Sequence, residues 1–264
     1  MKKLNENEIR AAFLPAPLGL QIKILEETSS TNTSAAELAR KGCSEATVVM
    51  AEKQTEGKGR LDRKWETPPY KNISLSVVLR PLLPPKKVPQ FNLVAGLAAY
   101  RTFAQLAPSQ LRLKWPNDLW IGSKKVGGIL TEMEVKNDGQ VDYVIVGVGL
   151  NINADRNDFS SEIQNIATSL KLETEEEHSR SKIAGLFLRE FFSLYKRYQQ
   201  EGFAPFQYEW ENAAQMKGKK VKVEEGSRSF EGICSGINAD GYLLVESNGK
   251  TETVVAGDVI WNWS

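Results

Sequence analysis

Residues 46–79 read ATVVMAEKQTEGKGRLDRKWETPPYKNISLSVVL, two apolar runs around a basic loop. The first run, ATVVMAE (46–52), lacks polar alternation and predicts a buried strand. The second, NISLSVVLRP (72–81), alternates Ile73, Leu75, Val77 and Leu79 with Ser74 and Ser76, which predicts a half-buried strand. If the two strands pair, they hold both ends of the loop between them. That loop places Lys58, Arg60, Arg63 and Lys64 within seven residues, with Gly57 and Gly59 among them. Glycine lets backbone N–H groups approach a ligand, and the cations can be focused on phosphate or carboxylate. The spacing is not that of a P-loop, and a solvated surface loop is the plainer alternative.

Outside this loop the charge is balanced. The 264 residues carry a net charge of +1, so a basic site must be local, and general affinity for nucleic acid or membrane is not expected. A composition of 41% hydrophobic and 25% charged residues suits an ordinary globular chain of one large domain with an appendage, or two domains. Cys43 and Cys234 have neither metal-ligand nor disulfide spacing, the start MKKLNENEIR has no signal-peptide core, and no run approaches a membrane span. The expected compartment is the cytoplasm.

Further out, LGLQIKIL (18–25) alternates like an edge strand and is the single apolar stretch of the first thirty residues. TNTSAAELARKG predicts a helix capped by Thr31 or Asn32 and stopped at Gly42. Residues 88–106 carry Phe91, Val94, Leu97 and Ala98 at helical spacing, a largely buried helix. LRLKWPNDLWIG, KKVGGILTEMEV and VDYVIVGVGLNIN read as three strands, and the Glu-rich 173–182 as an exposed connection. Ile183, Phe187, Phe191, Leu194 and Tyr198 mark a long amphipathic helix ending near Gly202. After Lys217, Glu225-Gly226, Asp240-Gly241 and Asn248-Gly249 separate short β-type runs, which predicts about five strands in a small barrel.

Three other stretches could carry chemistry. KWPNDLW (114–120) is either a strand with a tight turn or a strand end where Lys114, Asn117 and Asp118 meet a metal or polar ligand. In KKVGGIL, Gly127 and Gly128 suggest close approach by another group, and a lysine beside them could hold a carboxylate; an exposed lysine at a bulge is the alternative. GVGLNIN (147–153) lacks the third glycine, the helix and the acidic partner of a dinucleotide site, so its glycines are read as admitting a flat ligand or a neighbouring backbone. His178 is the sole histidine, which disfavours a catalytic triad or a histidine metal site. Cations, glycine backbone and a few carboxylates suit phosphoryl or nucleotidyl transfer.

In order, SSTN (29–32), AEKQTEGKGRLDRKW (51–65), NISLSVVL (72–79), KWPNDL (114–119), KVGGIL (125–130) and GVGLNIN (147–153) resemble the biotin protein ligases, the biotin–acetyl-CoA-carboxylase ligases. The resemblance implies an α+β catalytic domain over 1–215, with a mixed, mostly antiparallel sheet flanked by helices, then an SH3-like β-barrel over 216–264. It implies an ATP- and Mg²⁺-dependent enzyme that makes biotinyl-5′-AMP and biotinylates a lysine of a biotin carboxyl carrier protein. By resemblance Ser30, Thr31, Asn32, Gln54, Lys58, Gly59, Arg60 and Lys125 contact biotin, and Lys58, Arg60, Arg63, Trp65, Asn117 and Asn151 the nucleotide. Arg60 and Lys125 are the expected catalytic residues and Asp118 a candidate Mg²⁺ ligand. The chain departs from the usual loop GRGRxGRxW at Lys58 and Asp62. Too few residues precede the catalytic region for a DNA-binding domain, so no operator binding is expected, and exposed edge strands leave a homodimer open. A lipoate–protein ligase and a non-catalytic binding module are the rival readings.

Overall fold

The computed structural model describes residues 2–14, 19–106 and 109–261. Two sheets organise the chain. The larger has seven strands: β1 (Gln21–Thr28), β2 (Thr47–Gln54), β3 (Ile73–Leu79), β4 (Leu111–Lys114), β5 (Asp118–Ile121), β6 (Lys124–Val135) and β7 (Val141–Leu150). Their order is β1-β2-β3-β7-β6-β5-β4, with β1 parallel to β2 and every other pair antiparallel. The sheet is therefore mixed and mostly antiparallel, as expected. The stretch read as an edge strand is the edge strand β1, although Leu18 at its start lies outside the described residues.

The helices are α1 (Glu6–Phe13), α2 (Thr31–Arg40), α3 (Gln90–Ala104), α4 (Leu170–Thr174), α5 (Arg180–Glu201) and α6 (Gln207–Ala214). One sheet face presents Leu75, Val77, Val146, Val148 and Ile129 to a core shared with Phe91 of α3 and Phe187 and Phe191 of α5. The other is half covered by α2, where Ala35 and Ala39 pack on Val49, Val78, Tyr143 and Ile145. Beyond the N-terminus of α2 that second face stays open, and there the cavity lies.

A five-stranded antiparallel sheet follows, β8 (Lys220–Glu225), β9 (Arg228–Ile237), β10 (Leu243–Ser247), β11 (Lys250–Val254) and β12 (Asp258–Trp261), ordered β11-β10-β9-β8-β12. The five strands and the turns match expectation. Asn248 and Gly249 both take positive φ, 50° and 74°, between the paired Ser247 and Lys250. That is the geometry two-residue hairpins favour.

The structure differs from the sequence reading at several elements. Helix α1 was hidden because its two turns bury only Ile9 and Phe13, too short a stripe to register as periodic. The cap of α2 is Ser30, one residue ahead of the expected Thr31 or Asn32. KWPNDLW is a hairpin turn joining two strands, β4 and β5, so the three expected strands are four. The Glu-rich stretch 173–182, expected as an exposed connection, overlaps the end of the single-turn α4 and the start of α5, where buried Arg180 pairs with buried Glu52 at 2.7 Å. Finally, β3 is buried on both faces; Ser74 and Ser76 are covered by Gln54, Thr31 and Asn32, to which their hydroxyls bond.

Candidate active site

The cavity, about 440 Å³, lies on the open face of the large sheet, under the basic loop and beside β12. A transverse row of paired residues runs beneath it, from Ser74 (β3) behind the lining opposite Gly149 (β7), to Gly149 opposite Gly128 (β6), Gly128 opposite Asp118 (β5), and Asp118 opposite Lys114 (β4). Directly paired residues project from the same face, so these five positions share one surface.

At the β3 end the row meets a closed polar network. Gln54 Oε1 accepts from the Thr31 backbone N–H at 2.8 Å and from its hydroxyl at 3.1 Å, while Gln54 Nε2 donates to Thr67 and Ser74 at 3.2 and 3.3 Å. Ser76 donates to Asn32 Oδ1 at 2.6 Å, and Asn32 Nδ2 to Glu132 at 2.5 Å. A β-carbon on Gly147 would stand 2.1 Å from Asn32 Oδ1, so that glycine exists to admit the asparagine. Gly149 admits the Trp65 indole, 2.4 Å from where its β-carbon would be. These strand glycines thus accommodate side chains of the protein, where the sequence had suggested a ligand or a backbone.

In the middle of the row stands Lys125. Strict alternation would turn it away from the Gly128 face. A register shift pairs Leu119 with Gly127 but Trp120 with Lys125, skipping Val126. The bulge sends Val126 into the core and Lys125 onto the cavity face. Gly128 leaves room for it, since a β-carbon there would lie 3.1 Å from Lys125 Nζ. Lys125 Nζ sits 2.7 Å from Asp118 Oδ1, an ion pair outside hydrogen-bond angles, and 5.5 Å from the centre of the Trp65 ring. The buried Trp65 indole N–H has no hydrogen-bond partner among the described residues, a donor awaiting an acceptor.

The basic loop closes over this floor as a small lid. Gly59 N–H donates to Arg63 O at 2.7 Å and Trp65 N–H to Gly57 O at 2.8 Å. Arg60 donates to Asn117 Oδ1 and to Gly257 O, each at 3.0 Å, and Arg63 pairs with Asp258. Asn117, held through Nδ2 by Ile129 O at 2.8 Å, therefore aims Arg60. Asn151 is anchored by Asn72 Nδ2 and Thr168 O, each at 3.0 Å. Burial pushes the Lys114 ammonium below its ordinary value, with Asp118 partly offsetting the shift.

All thirteen residues assigned by the resemblance line this one cavity: Ser30, Thr31, Asn32, Gln54, Lys58, Gly59, Arg60, Arg63, Trp65, Asn117, Asp118, Lys125 and Asn151, and so does Lys114, singled out beside Asn117 and Asp118. Sequence reasoning missed Asp258, Val259 and Ile260 of β12, which line the cavity, and Ser74 and Ser76, whose alternation imitated a solvent face and whose hydroxyls bond the lining residues Gln54, Thr31 and Asn32 from behind. No local signal in β12 points to a site nearly two hundred residues upstream. The lining carries six cationic side chains (Lys58, Arg60, Arg63, Lys64, Lys114 and Lys125) against four carboxylates (Glu66, Asp118, Glu224 and Asp258), an excess of two positive charges that favours anionic ligands. Among the described residues no three His, Cys, Asp or Glu side chains gather as a metal cage, and no helix is long and apolar enough to cross a membrane.

Comparison with known proteins agrees with this geometry. Residues 24–151 match the biotin/lipoate A/B protein ligase family, and residues 218–261 the biotin protein ligase C-terminal domain. The chain is 36% identical to the bifunctional ligase/repressor BirA of Bacillus subtilis, over 97% of this chain and 79% of that protein. It is 31% identical to the biotin–acetyl-CoA-carboxylase ligase of Mycobacterium tuberculosis, over 97% of this chain and 95% of the relative. The fold superposes on a biotin protein ligase from Aquifex aeolicus in complex with biotin and ATP, with a TM-score of 0.78 and 28% identity over 92% of this chain and 99% of that one. With a relative this similar along nearly its whole length, and the motifs gathered around one cationic cavity, the chain belongs to the biotin protein ligase family.

Proposed function

We propose that the protein activates biotin with ATP to biotinyl-5′-AMP and then biotinylates a lysine of a carboxyl carrier protein. The observation that carries this reading is the bulge at Val126, which sets Lys125 above a glycine floor between a closed polar pocket and a cationic lid. The Thr31–Gln54–Ser74 network offers donors and acceptors suited to the ureido ring of biotin, with the carboxylate directed at Lys125. Carboxylate and triphosphate repel one another, and Lys58, Arg60 and Lys125 offset that repulsion where they meet. The biotin carboxylate oxygen attacks the α-phosphorus, the bond to the β-phosphate oxygen breaks, and pyrophosphate leaves with its electron pair. Trp65 and Asn151 flank the space for the nucleoside, and the lid shields the mixed anhydride from water. The neutral ε-amine of the acceptor lysine then attacks the carbonyl and releases AMP, so no covalent enzyme intermediate is needed.

Mg²⁺ suits this site as a companion of the triphosphate, because it is held through one or two carboxylates plus phosphate oxygens and water. Asp118 is the carboxylate that fits, beside Lys125 on the cavity floor; when bound, the ion neutralises phosphate charge. We place the division between catalytic and C-terminal domains at 215/216, just after α6, and the enzyme in the cytoplasm. The test is direct. Mixing the protein with biotin and Mg-ATP should yield biotinyl-AMP and pyrophosphate by mass spectrometry, and adding a carrier domain should yield a biotinylated lysine. Lipoate in place of biotin should yield no adenylate; a lipoyl-AMP product in its stead overturns the assignment.

A further inference from the structure

Beyond Lys58, Arg60 and Lys125, the cationic lining of the cavity holds Arg63, Lys64 and Lys114. Lys114 closes the transverse row on β4, four strand spacings from Ser74, roughly 19 Å. Its ammonium lies 4.5 Å from the centre of the Trp120 ring, which stands two residues beyond Asp118 on the same face. The row thus orders three compartments along one line: the polar pocket at Ser74, Lys125 over Gly128, and Lys114 past Asp118. Displacement at phosphorus is in line, so the leaving group departs opposite the incoming oxygen. With the carboxylate arriving from the Ser74 side and the α-phosphate at Lys125, the leaving group points along the row toward β4.

We propose that Lys114 is a catalytic residue that binds the β- and γ-phosphates of ATP and stabilises the departing pyrophosphate, an inference that rests on the biotin-activating reading. As the α-phosphorus–oxygen bond breaks, negative charge grows on the pyrophosphate, and a fixed ammonium there acts on the adenylation half-reaction alone. The Trp120 face holds the flexible lysine stem in one direction, reducing the conformational freedom lost at each turnover.

The two half-reactions separate this role from others. In Lys114→Met, biotinyl-AMP formation should fall roughly 10- to 100-fold. Transfer from supplied biotinyl-AMP to a carrier domain should stay within about twofold of the parent. Lys114→Arg, which keeps a cation, should restore most of the first step. An equal loss in both half-reactions, or no loss in either, overturns the proposal. Biotin binding reports whether each variant folds; Lys114→Gln replaces a methionine variant that does not, and failure of both makes Lys114 a structural residue and overturns the proposal as well. If the parent protein itself makes no biotinyl-AMP, it is the biotin-activating reading that fails.

Discussion

At the scale of single residues, the site depends on atoms that are absent as much as on those present. Gly147 has no β-carbon because Asn32 occupies that space, and Asn32 in turn bonds Ser76 and Glu132. Gly147→Ala should therefore displace Asn32 and weaken biotin binding by about 2 kcal/mol or more, roughly 30-fold in Kd, with a stability cost of about 1–3 kcal/mol that leaves the protein folded. Titration calorimetry with biotin checks it; unchanged affinity would mean Asn32 is not part of the biotin pocket. Arg60 is the complementary case, a group defined by what it reaches. Asn117 and Gly257 O hold its fork on the cavity side of the lid. Arg60→Ala should slow adenylate formation roughly 100-fold while biotin alone still binds, and pyrophosphate release is the readout. Serine shows how a residue can mislead: Ser74 and Ser76 have the alternation of a wet strand, yet both are buried because hydroxyls serve the pocket.

At the scale of elements, the lid is a loop under tension. Leu61 takes left-handed angles, φ 54° and ψ 45°, and Asp62 follows at φ 57°, where the family pattern carries glycine. A leucine in that region costs about 1–2 kcal/mol, and its side chain is largely exposed, with little packing to lose. Leu61→Asn, which tolerates the conformation, should slow escape of biotinyl-AMP by about 2- to 5-fold, read from the dissociation rate in the absence of carrier. Helix α5 carries a different signature. Tyr198, whose hydroxyl donates to Gln90, is pushed up to about 12 by burial, and Tyr195 is raised further for the same reason. Both bind their protons more tightly folded than unfolded. Both contributions are complete below the ordinary tyrosine value of 10; that of Tyr198 is lost as pH rises through 12, and that of Tyr195 persists above it. Stability to urea should accordingly fall between those limits, and Tyr198→Phe should flatten part of the decline.

At the scale of the whole molecule, the cavity is shared between the two sheets. Trp115 Nε1 donates to Gly241 O at 2.9 Å and Gln90 Nε2 to Asp240 O at 3.0 Å, seating the β9–β10 turn on the catalytic core. From that seat β12 presents Asp258 to Arg63 and the Gly257 carbonyl to Arg60. Gly241 has φ +80°, and a β-carbon on it would lie 2.3 Å from Leu93. Gly241→Val combines a forbidden backbone region with that clash. It should cost about 2–3 kcal/mol in chemical unfolding and raise the KM for ATP, because Asp258 and its neighbours leave the lid. A variant that loses stability but keeps its KM would show that the second sheet only braces the first.

Much of this protein is legible in local pattern. Periodicity revealed α2, α3, α5, the paired strands around the lid and the hairpins of the second sheet, because spacing along the chain sets which side chains share a face. The ordered motifs named every residue type the cavity needs, since glycine, cation and amide carry their chemistry wherever they stand. Three things came only from the tertiary structure. One is the bulge that turns Lys125 onto the cavity face, a shift of register that depends on how β5 and β6 pair. Another is the row that lines Ser74 up with Lys114 across five strands. The last is the arrival of β12 beside Arg60. Each is a relation between segments far apart in the chain, set by packing and pairing, and no local run of residues contains it.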